Sequence, residues 1–130
     1  MPFTLSKAHS ILTREITKDT YIGLSTSAPT ADGDNFEEPD PGVGYERVKF
    51  GDTYDSSVQA QVSNGNGIIF FNETTGPWGN VTNFGFFSSK TGGKPFFCGA
   101  LTQSVNINAA EYVPIFRKNQ LKIALDKAVE

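Results

Sequence analysis

The sequence predicts an all-β fold, an antiparallel β-sandwich or jelly-roll-like domain with one short N-terminal helix. About eight short segments of alternating or aromatic-rich residues are bounded by turn residues, which is the pattern of such folds. The 13 glycines, accompanied by many Asn, Thr and Ser, favour short strands and turns over long helices. Apolar residues at helical spacing point to one helix, near the N-terminus.

Length and composition predict one globular domain, residues 1–130. A chain of 130 residues is long enough to bury a core, and 38% hydrophobic with 19% charged residues argue against disorder. The net charge of −3 and the lack of a basic run argue against nucleic acid as a partner. The longest apolar stretch, residues 68–71, is too short to span a membrane, so we expect no membrane partner.

Cysteine usage and the N-terminus indicate where the chain is made. Cys98 is the one cysteine, so an intrachain disulfide is excluded. The first residues lack the basic region, apolar block and cleavage site of a secretory signal. We therefore expect synthesis in a reducing cytoplasm.

The first predicted element is the helix, which lies in an N-terminal helix region of residues 1–18. Its apolar side chains fall on one face, and Thr4 or Ser6 is placed to cap its first turn. The apolar residues are Leu5, Ala8, Leu12 and Ile16.

Two predicted strands, residues 21–25 and 45–50, flank a long acidic loop, residues 28–44. The first strand places Gly23 and Ser25 on the same face. The loop contains three prolines, three glycines and five acidic residues without a basic one. Long loops in compact domains are often functional, so we expect an interface or exposed loop here. Its candidate interface residues are Asp34, Phe36, Glu37 and Glu38.

The same loop offers weak candidates for a metal ligand. Asp32 and Asp34 flank Gly33 in a pattern that resembles part of a calcium loop. Gly33 is misplaced for the complete pattern, so a solvated turn is favoured and weak calcium binding stays open. We expect no metal and no cofactor.

The middle of the chain contains the clearest turn signals. Residues 51–61 are polar and ambiguous, and Asn-Gly-Asn-Gly at 64–67 predicts a turn before a buried strand over residues 68–72. Gly and Pro at residues 76–79 predict a second turn, which leads into an aromatic strand over residues 81–87.

The aromatic strand predicts part of the core. Phe84 and Phe86 share a face, and we expect both to be buried. Trp78 stands on the turn before the strand, where two interpretations stay open: core packing, or an exposed ring that contacts a partner or a sugar.

The rest of the chain predicts further strands. Residues 90–94 form a hairpin-type loop, since they contain Gly92 and Gly93. The strands that follow are predicted at residues 95–101, 104–108, 112–116 and 120–125.

The residues that carry chemistry do not form a catalytic set. His9 lies on the helix without a nucleophile at a recognisable spacing, so a packed or solvent-facing side chain is expected. Cys98 lies between Phe97 and Gly99 without a basic neighbour, which predicts a buried structural thiol. We expect no catalytic residue and no enzyme.

Several segments together resemble a family of small bacteriophage virion proteins, called tail-fibre or minor structural proteins. The matching segments are Tyr-Ile-Gly-Leu-Ser-Thr at 21–26, Gly-Tyr-Glu-Arg-Val at 44–48, Gly-Pro-Trp-Gly-Asn-Val-Thr-Asn-Phe-Gly-Phe-Phe at 76–87, Phe-Cys-Gly-Ala-Leu at 97–101, and an alternating strand at 121–126.

The resemblance implies a non-enzymatic role in a virion, in the tail or as a decoration of the capsid. Its implied partners are other virion proteins and further copies of the chain, because virion subunits act through repeated symmetric contacts. Trp78 and the loop of residues 28–44 are then the expected contact regions. The alternative is a carbohydrate-binding module that recognises a host surface glycan.

Overall fold

The computed structural model describes residues 4–124, and in this part of the chain the predicted class is confirmed, with antiparallel strand pairs and one α-helix. The packing of the sheets as a sandwich or jelly roll stays a prediction. Two short 3₁₀ turns, Pro41–Val43 and Gly51–Thr53, lie between strands. The elements are α1 (Leu5–Glu15), β1 (Tyr21–Ser25), β2 (Val48–Lys49), β3 (Gln61–Ser63), β4 (Ile69–Phe70), β5 (Gly79–Phe87), β6 (Phe97–Ile107), β7 (Ile115–Phe116) and β8 (Lys122–Ala124).

The strands form one four-stranded sheet and two pairs. The four-stranded sheet has the order β2-β1-β5-β6, so β6 is an edge strand eleven residues long. β1 pairs with β5 along its whole length, from Tyr21 opposite Phe87 to Ser25 opposite Asn83. The two remaining sheets are β3 with β8 and β4 with β7.

The chain groups into two compact units. The first contains the described residues 4–19, 50–69 and 116–124, and the second contains residues 20–49 and 70–115. The expectation of a single domain over residues 1–130 stays a prediction.

The first unit is built on α1. Thr4 caps the helix, since its hydroxyl accepts a hydrogen bond from the Lys7 backbone N–H at 3.1 Å. Ala8, Leu12 and Ile16 are buried, as their spacing predicted. The predicted turn at residues 64–67 is present as well.

That turn contains the buried polar centre of the first unit, Asn64, which is fully enclosed. Its side-chain N–H groups donate to the carbonyls of Gly67, Phe116 and Arg117, and its Oδ1 accepts from the Leu121 N–H at 3.0 Å. One neutral side chain therefore holds the turn against the chain before β8, with its donors and acceptor paired.

Several strand predictions differ from the structure in extent. The predicted strand of residues 45–50 is limited to β2, and the preceding Tyr45 and Arg47 make side-chain hydrogen bonds to Glu38. The predicted strands at 95–101 and 104–108 are one strand, β6, interrupted by a bulge. In that bulge residues 101–104 lie opposite Thr82 alone.

The remaining differences concern burial and the C-terminus. The predicted buried strand at 68–72 is β4, and the expectation of full burial is wrong because Phe70 is 60% exposed. The strand expected at 112–116 is limited to β7. The strand expected at 120–125 is present as β8 within the described residues. Leu125, at its end, and Asp126, at the end of the matching segment 121–126, lie outside the described residues.

Candidate functional site

One face of the four-stranded sheet carries mostly small side chains. Successive residues of a strand point to opposite faces, so Phe84 and Phe86 occupy one face and Asn83 and Gly85 the other. Both phenylalanines are buried, with ring centroids 5.6 Å apart, which confirms their predicted place in the core. Two rows of paired residues make up the other face: Gly23, Gly85 and Cys98, and beside them Ser25, Asn83 and Ala100.

Part of the loop of residues 28–44 packs on this small-residue face. The Phe36 ring lies so close to Gly85 that a Cβ there would come within 2.8 Å of it. Phe36 also meets Phe87 edge to face, with ring centroids 5.3 Å apart. Ser25 Oγ accepts hydrogen bonds from the N–H groups of Ser27, just before the loop, and Glu37, in its middle, and so holds these two points together. The small residues therefore leave room for the loop.

Next to Phe36 lies a buried charged group, which we call the Arg47 cluster (Glu38, Tyr45 and Arg47). Arg47 donates from Nε and Nη2 to the two carboxylate oxygens of Glu38, at 3.0 and 2.7 Å. Its Nη1 donates to the carbonyls of Ser89 and Gly92, and its guanidinium lies 3.4 Å above the Phe87 ring centroid. This bidentate and cation–π geometry is specific to arginine.

Tyr45 completes the Arg47 cluster. Its hydroxyl donates to Glu38 Oε2 and accepts from the Leu24 N–H at 2.9 Å. Burial, reinforced by the Glu38 hydrogen bond, raises the pKa of Tyr45 well above its usual range. The phenol therefore stays protonated and acts as a fixed donor, so the cluster holds the base of the loop against the sheet.

The tip of the loop has a turn of its own. The Thr30 N–H donates to the Asp34 carbonyl at 2.9 Å, and the Asp34 N–H donates to Thr30 Oγ1 at 3.1 Å. Gly33 has φ +83° and lies so close to the Pro95 carbonyl that a Cβ there would come within 2.8 Å of it. Lys94 Nζ pairs with the Asp34 carboxylate. These contacts hold the tip beside the start of β6.

Between the loop tip and the first half of β6 lies a cleft of about 550 Å³. Phe96 is one of its lining residues and has 46% of its surface exposed. The cleft exists because Cys98 and Ala100 project too little to fill the space above the sheet. Its other principal side chains are Thr30, Asp32 and Asn83.

The predicted interface residues have different environments. Asp34 is exposed but paired with Lys94, and Glu37 is exposed. Phe36 is half-buried against Phe87, and Glu38 belongs to the Arg47 cluster. Their role as contacts stays a prediction; the geometry gives Phe36 and Glu38 a part in holding the loop.

Trp78 is a core residue, which is one of the two interpretations that the sequence left open. Its side chain is 4% exposed, and its indole N–H donates to the Val43 carbonyl at 2.8 Å. Its ring meets Tyr45 edge to face, with centroids 5.3 Å apart. The ring therefore offers a partner or a sugar almost no surface.

The environments of Cys98 and His9 fit structural roles for both side chains. The expected burial of Cys98 is wrong in degree, because the thiol is half-buried at the cleft. Partial burial raises its pKa, which keeps the thiol in its less reactive protonated form. His9 Nδ1 accepts a hydrogen bond from the Ala60 N–H at 3.1 Å, so this ring is packed.

Neither a metal-binding cluster nor a membrane-spanning helix is present in residues 4–124. This part of the chain holds no group of three or more His, Cys, Asp or Glu side chains arranged for a metal ion. Asp32 lies at the cleft and Asp34 in its ion pair. No helix in the described region has the length and apolarity needed to cross a bilayer.

Sequence reasoning missed Phe96 as a functional candidate. It was assigned with Phe97 to one strand, but β6 begins only at Phe97. Both residues line the cleft, and both rings lie near Phe86, with centroid distances of 6.5 Å for Phe96 and 5.4 Å for Phe97. The 46% exposure of Phe96 depends on tertiary packing, which the local pattern does not encode.

The second half of β6 forms another surface. Residues 95–110 contain no charged residue, and the side chains from Thr102 to Asn106 are exposed along the sheet edge. Natural edge strands are commonly protected by charge or proline, and this half has a bulge but neither of those.

Comparison with known proteins identifies the family. A family model described as podophage GP4 fiber I protein gp80 matches residues 13–124, which is most of the chain. No curated protein matches the sequence significantly. The chain belongs to this family of phage fiber proteins, which confirms the resemblance to phage virion proteins, gives it a structural role in a phage fiber and places it in the virion.

Proposed function

We propose that the chain is a non-enzymatic fiber subunit that binds further copies of itself and neighbouring virion proteins through the second half of β6. The family description names a fiber, so we favour the tail over the capsid surface. The observation that carries the proposal is the uncharged, exposed edge of residues 102–106.

The composition of this edge favours a second copy as its partner. A strand without charge faces its own symmetry mate without like-charge repulsion, and an isologous contact requires such self-complementarity. Val105, 51% exposed, supplies apolar area at the centre of the edge. Repeated contacts of modest strength are sufficient in a virion, because many copies act together.

The test is the mass of the protein in solution. A lysine on the edge strand should prevent association, because it places like charges against each other across the symmetric contact. We expect a defined oligomer for the natural sequence by native mass spectrometry and light scattering, and a monomer for Gln103→Lys.

Gln59→Lys is the matched control, because Gln59 is also an exposed glutamine and lies outside β6. It should leave the oligomer intact. A monomeric natural protein at micromolar concentration, or equal behaviour of the two variants, would refute the proposed contact.

Glycan binding is a second candidate function, and the cleft is the observation that favours it. Trp78, the ring first considered for a sugar platform, is buried, but the cleft has polar lining residues, and Phe96, one of its lining residues, is 46% exposed. A fiber subunit with such a cleft would contact both its neighbours and a surface glycan.

A further inference from the structure

We infer that the chain has a second contact surface, on which the exposed face of an outer ribbon binds the basic segment of a further copy. The outer ribbon is residues 70–74 together with residues 111–115, and the basic segment is residues 117–122. This contact uses other residues than the β6 edge and is independent of it.

The outer ribbon carries apolar side chains on its exposed face. The Phe71 N–H donates to the Pro114 carbonyl at 2.9 Å, so the two segments lie side by side with these residues opposite each other. Successive residues point to opposite faces, so Phe70 and Val113 share the face away from the buried Phe71. Phe70 is 60% and Val113 49% exposed. Clustered exposed apolar side chains mark a contact surface.

One end of the outer ribbon is acidic. The Glu111 N–H donates to the Thr74 carbonyl at 2.8 Å, which brings Glu111 next to the turn that contains Glu73. Both acids are exposed, and neither is in an ion pair within residues 4–124. Residues 70–76 and 108–115 contain no lysine or arginine. The outer ribbon therefore supplies no cation of its own to these carboxylates.

The basic segment has the complementary charge. It contains Arg117, Lys118 and Lys122 and no acidic residue, and all three side chains are exposed. None of the three forms an ion pair with a carboxylate of the described residues. A second copy of the chain thus offers the positive charge that the acidic end lacks, and complementary charges select partner and register.

The contact is head to tail, because two different surfaces meet in it. Contacts of this kind extend into filaments unless the rotation closes a ring, which suits a fiber subunit. The apolar face is much smaller than the about 800 Å² per partner of a standard interface, so a single contact should be weak. Many copies in one particle make weak contacts sufficient.

The test uses the full chain with Gln103→Lys, which removes the β6 edge contact. We expect this protein to be monomeric at micromolar concentration and to associate with a Kd on the order of 1 mM. Light scattering measures the mass, and amide shifts that change with concentration should map to Phe70, Glu111 and Arg117. Raising the salt from about 0.05 M to about 0.5 M should weaken association, because salt screens exposed charges.

Charge reversal tests the pairing of the two surfaces. An acid-reversed variant, Glu73→Lys with Glu111→Lys, and a base-reversed variant, Arg117→Glu with Lys122→Glu, should each stay monomeric. An equal mixture of the two should associate, because each copy then meets opposite charge in the other. Asp32→Lys with Glu37→Lys is the control: it changes the net charge as the acid-reversed variant does, at exposed residues outside the outer ribbon. It should associate like its parent.

Phe70→Ala tests the apolar part of the contact. It should weaken association roughly tenfold or more, because exposed apolar area that is covered in the contact is lost. Phe96→Ala is the matched control, since Phe96 is also a half-exposed phenylalanine and lies outside the outer ribbon. It should leave association unchanged, and both variants should keep the amide spectrum of the folded chain.

The outcomes separate this contact from the one at the β6 edge. Absence of association at the highest concentration, shifts that fall outside the two surfaces, or a mixture of reversed variants that stays monomeric would each overturn the inference. Equal association of Phe70→Ala and Phe96→Ala would overturn it as well. None of these results bears on the β6 edge contact, which the mass of the natural sequence at micromolar concentration decides.

Discussion

Each of the two units of this chain contains a buried polar centre, Asn64 in the first and the Arg47 cluster in the second, and these two centres differ in charge. The first unit uses Asn64, a neutral amide bonded to backbone carbonyls and one N–H. The second uses the Arg47 cluster, in which a guanidinium meets a carboxylate. A buried charge loses far more hydration than an amide, so it requires a more complete set of partners.

The difference predicts how each centre responds when a partner is removed. If Asn64 lost its hydrogen-bond partners, only neutral groups would be left unpaired in the interior. Glu38 left without Arg47 would be a partly buried carboxylate without its cation. Both centres hold a connecting segment in place, but the charged one should be the more sensitive to substitution.

Arg47→Ala should therefore have the largest effect. We expect a loss of about 3–5 kcal/mol in the free energy of unfolding, because the Glu38 carboxylate and the carbonyls of Ser89 and Gly92 lose their donor. Urea denaturation followed by circular dichroism measures it. Arg14→Ala is the control, since Arg14 pairs with Glu15 at the surface, and it should change stability by less than about 0.5 kcal/mol. Similar losses in both variants would contradict the importance of the cluster.

Asn64→Ala should have a smaller effect, about 2–3 kcal/mol, because the groups left unpaired are neutral. Hydrogen exchange should also accelerate at the Leu121 amide, which donates to Asn64 Oδ1. Asn66→Ala is the matched control, because Asn66 is exposed and its side-chain amide donates to the Tyr54 carbonyl. A loss for Asn64→Ala that equals that of Arg47→Ala would break the distinction between the neutral and the charged centre.

The same two centres show how far the sequence predicted the structure. The helix, β1 and the aromatic strand followed from local spacing and turn residues, since these patterns act over a few residues. The Asn-Gly-Asn-Gly signal predicted the turn at 64–67 but not the burial of Asn64, because its partners Phe116 and Arg117 are distant in sequence.

The candidate sites were harder to predict for the same reason. The segment with Tyr45 and Arg47 was recognised as part of a family pattern, and Glu38 was taken for an interface residue, but no local pattern indicated that Glu38 pairs with Arg47. The cleft depends on the pairing of β6 with β5 and on the loop tip beside it, which are long-range contacts. Local patterns therefore predicted the elements, whereas they left Trp78 open between core and surface and gave no prediction for the exposure of Phe96.

A pH above about 10 should destabilise the Arg47 cluster through Tyr45 and leave the Asn64 centre unchanged, because an amide does not titrate there. We expect this to be the smallest of the three effects on stability. The pKa of Tyr45 is raised in the folded chain, so the folded state holds the phenolic proton more tightly than the unfolded state. Its contribution to stability is complete below the unfolded pKa of about 10 and is lost as the pH rises beyond it. The slope for one such group is about 1.4 kcal/mol per pH unit.

Tyr45→Phe isolates this contribution. The variant should be less stable than the natural chain by about 1 kcal/mol at neutral pH, since Glu38 loses a donor. Above pH 10 its stability should decline less steeply, because the Tyr45 phenol no longer titrates. A residual slope should persist from Tyr54, whose pKa is also raised by burial. Urea denaturation at a series of pH values measures both slopes, and identical slopes for the variant and the natural chain would show that the charged centre does not hold the Tyr45 proton.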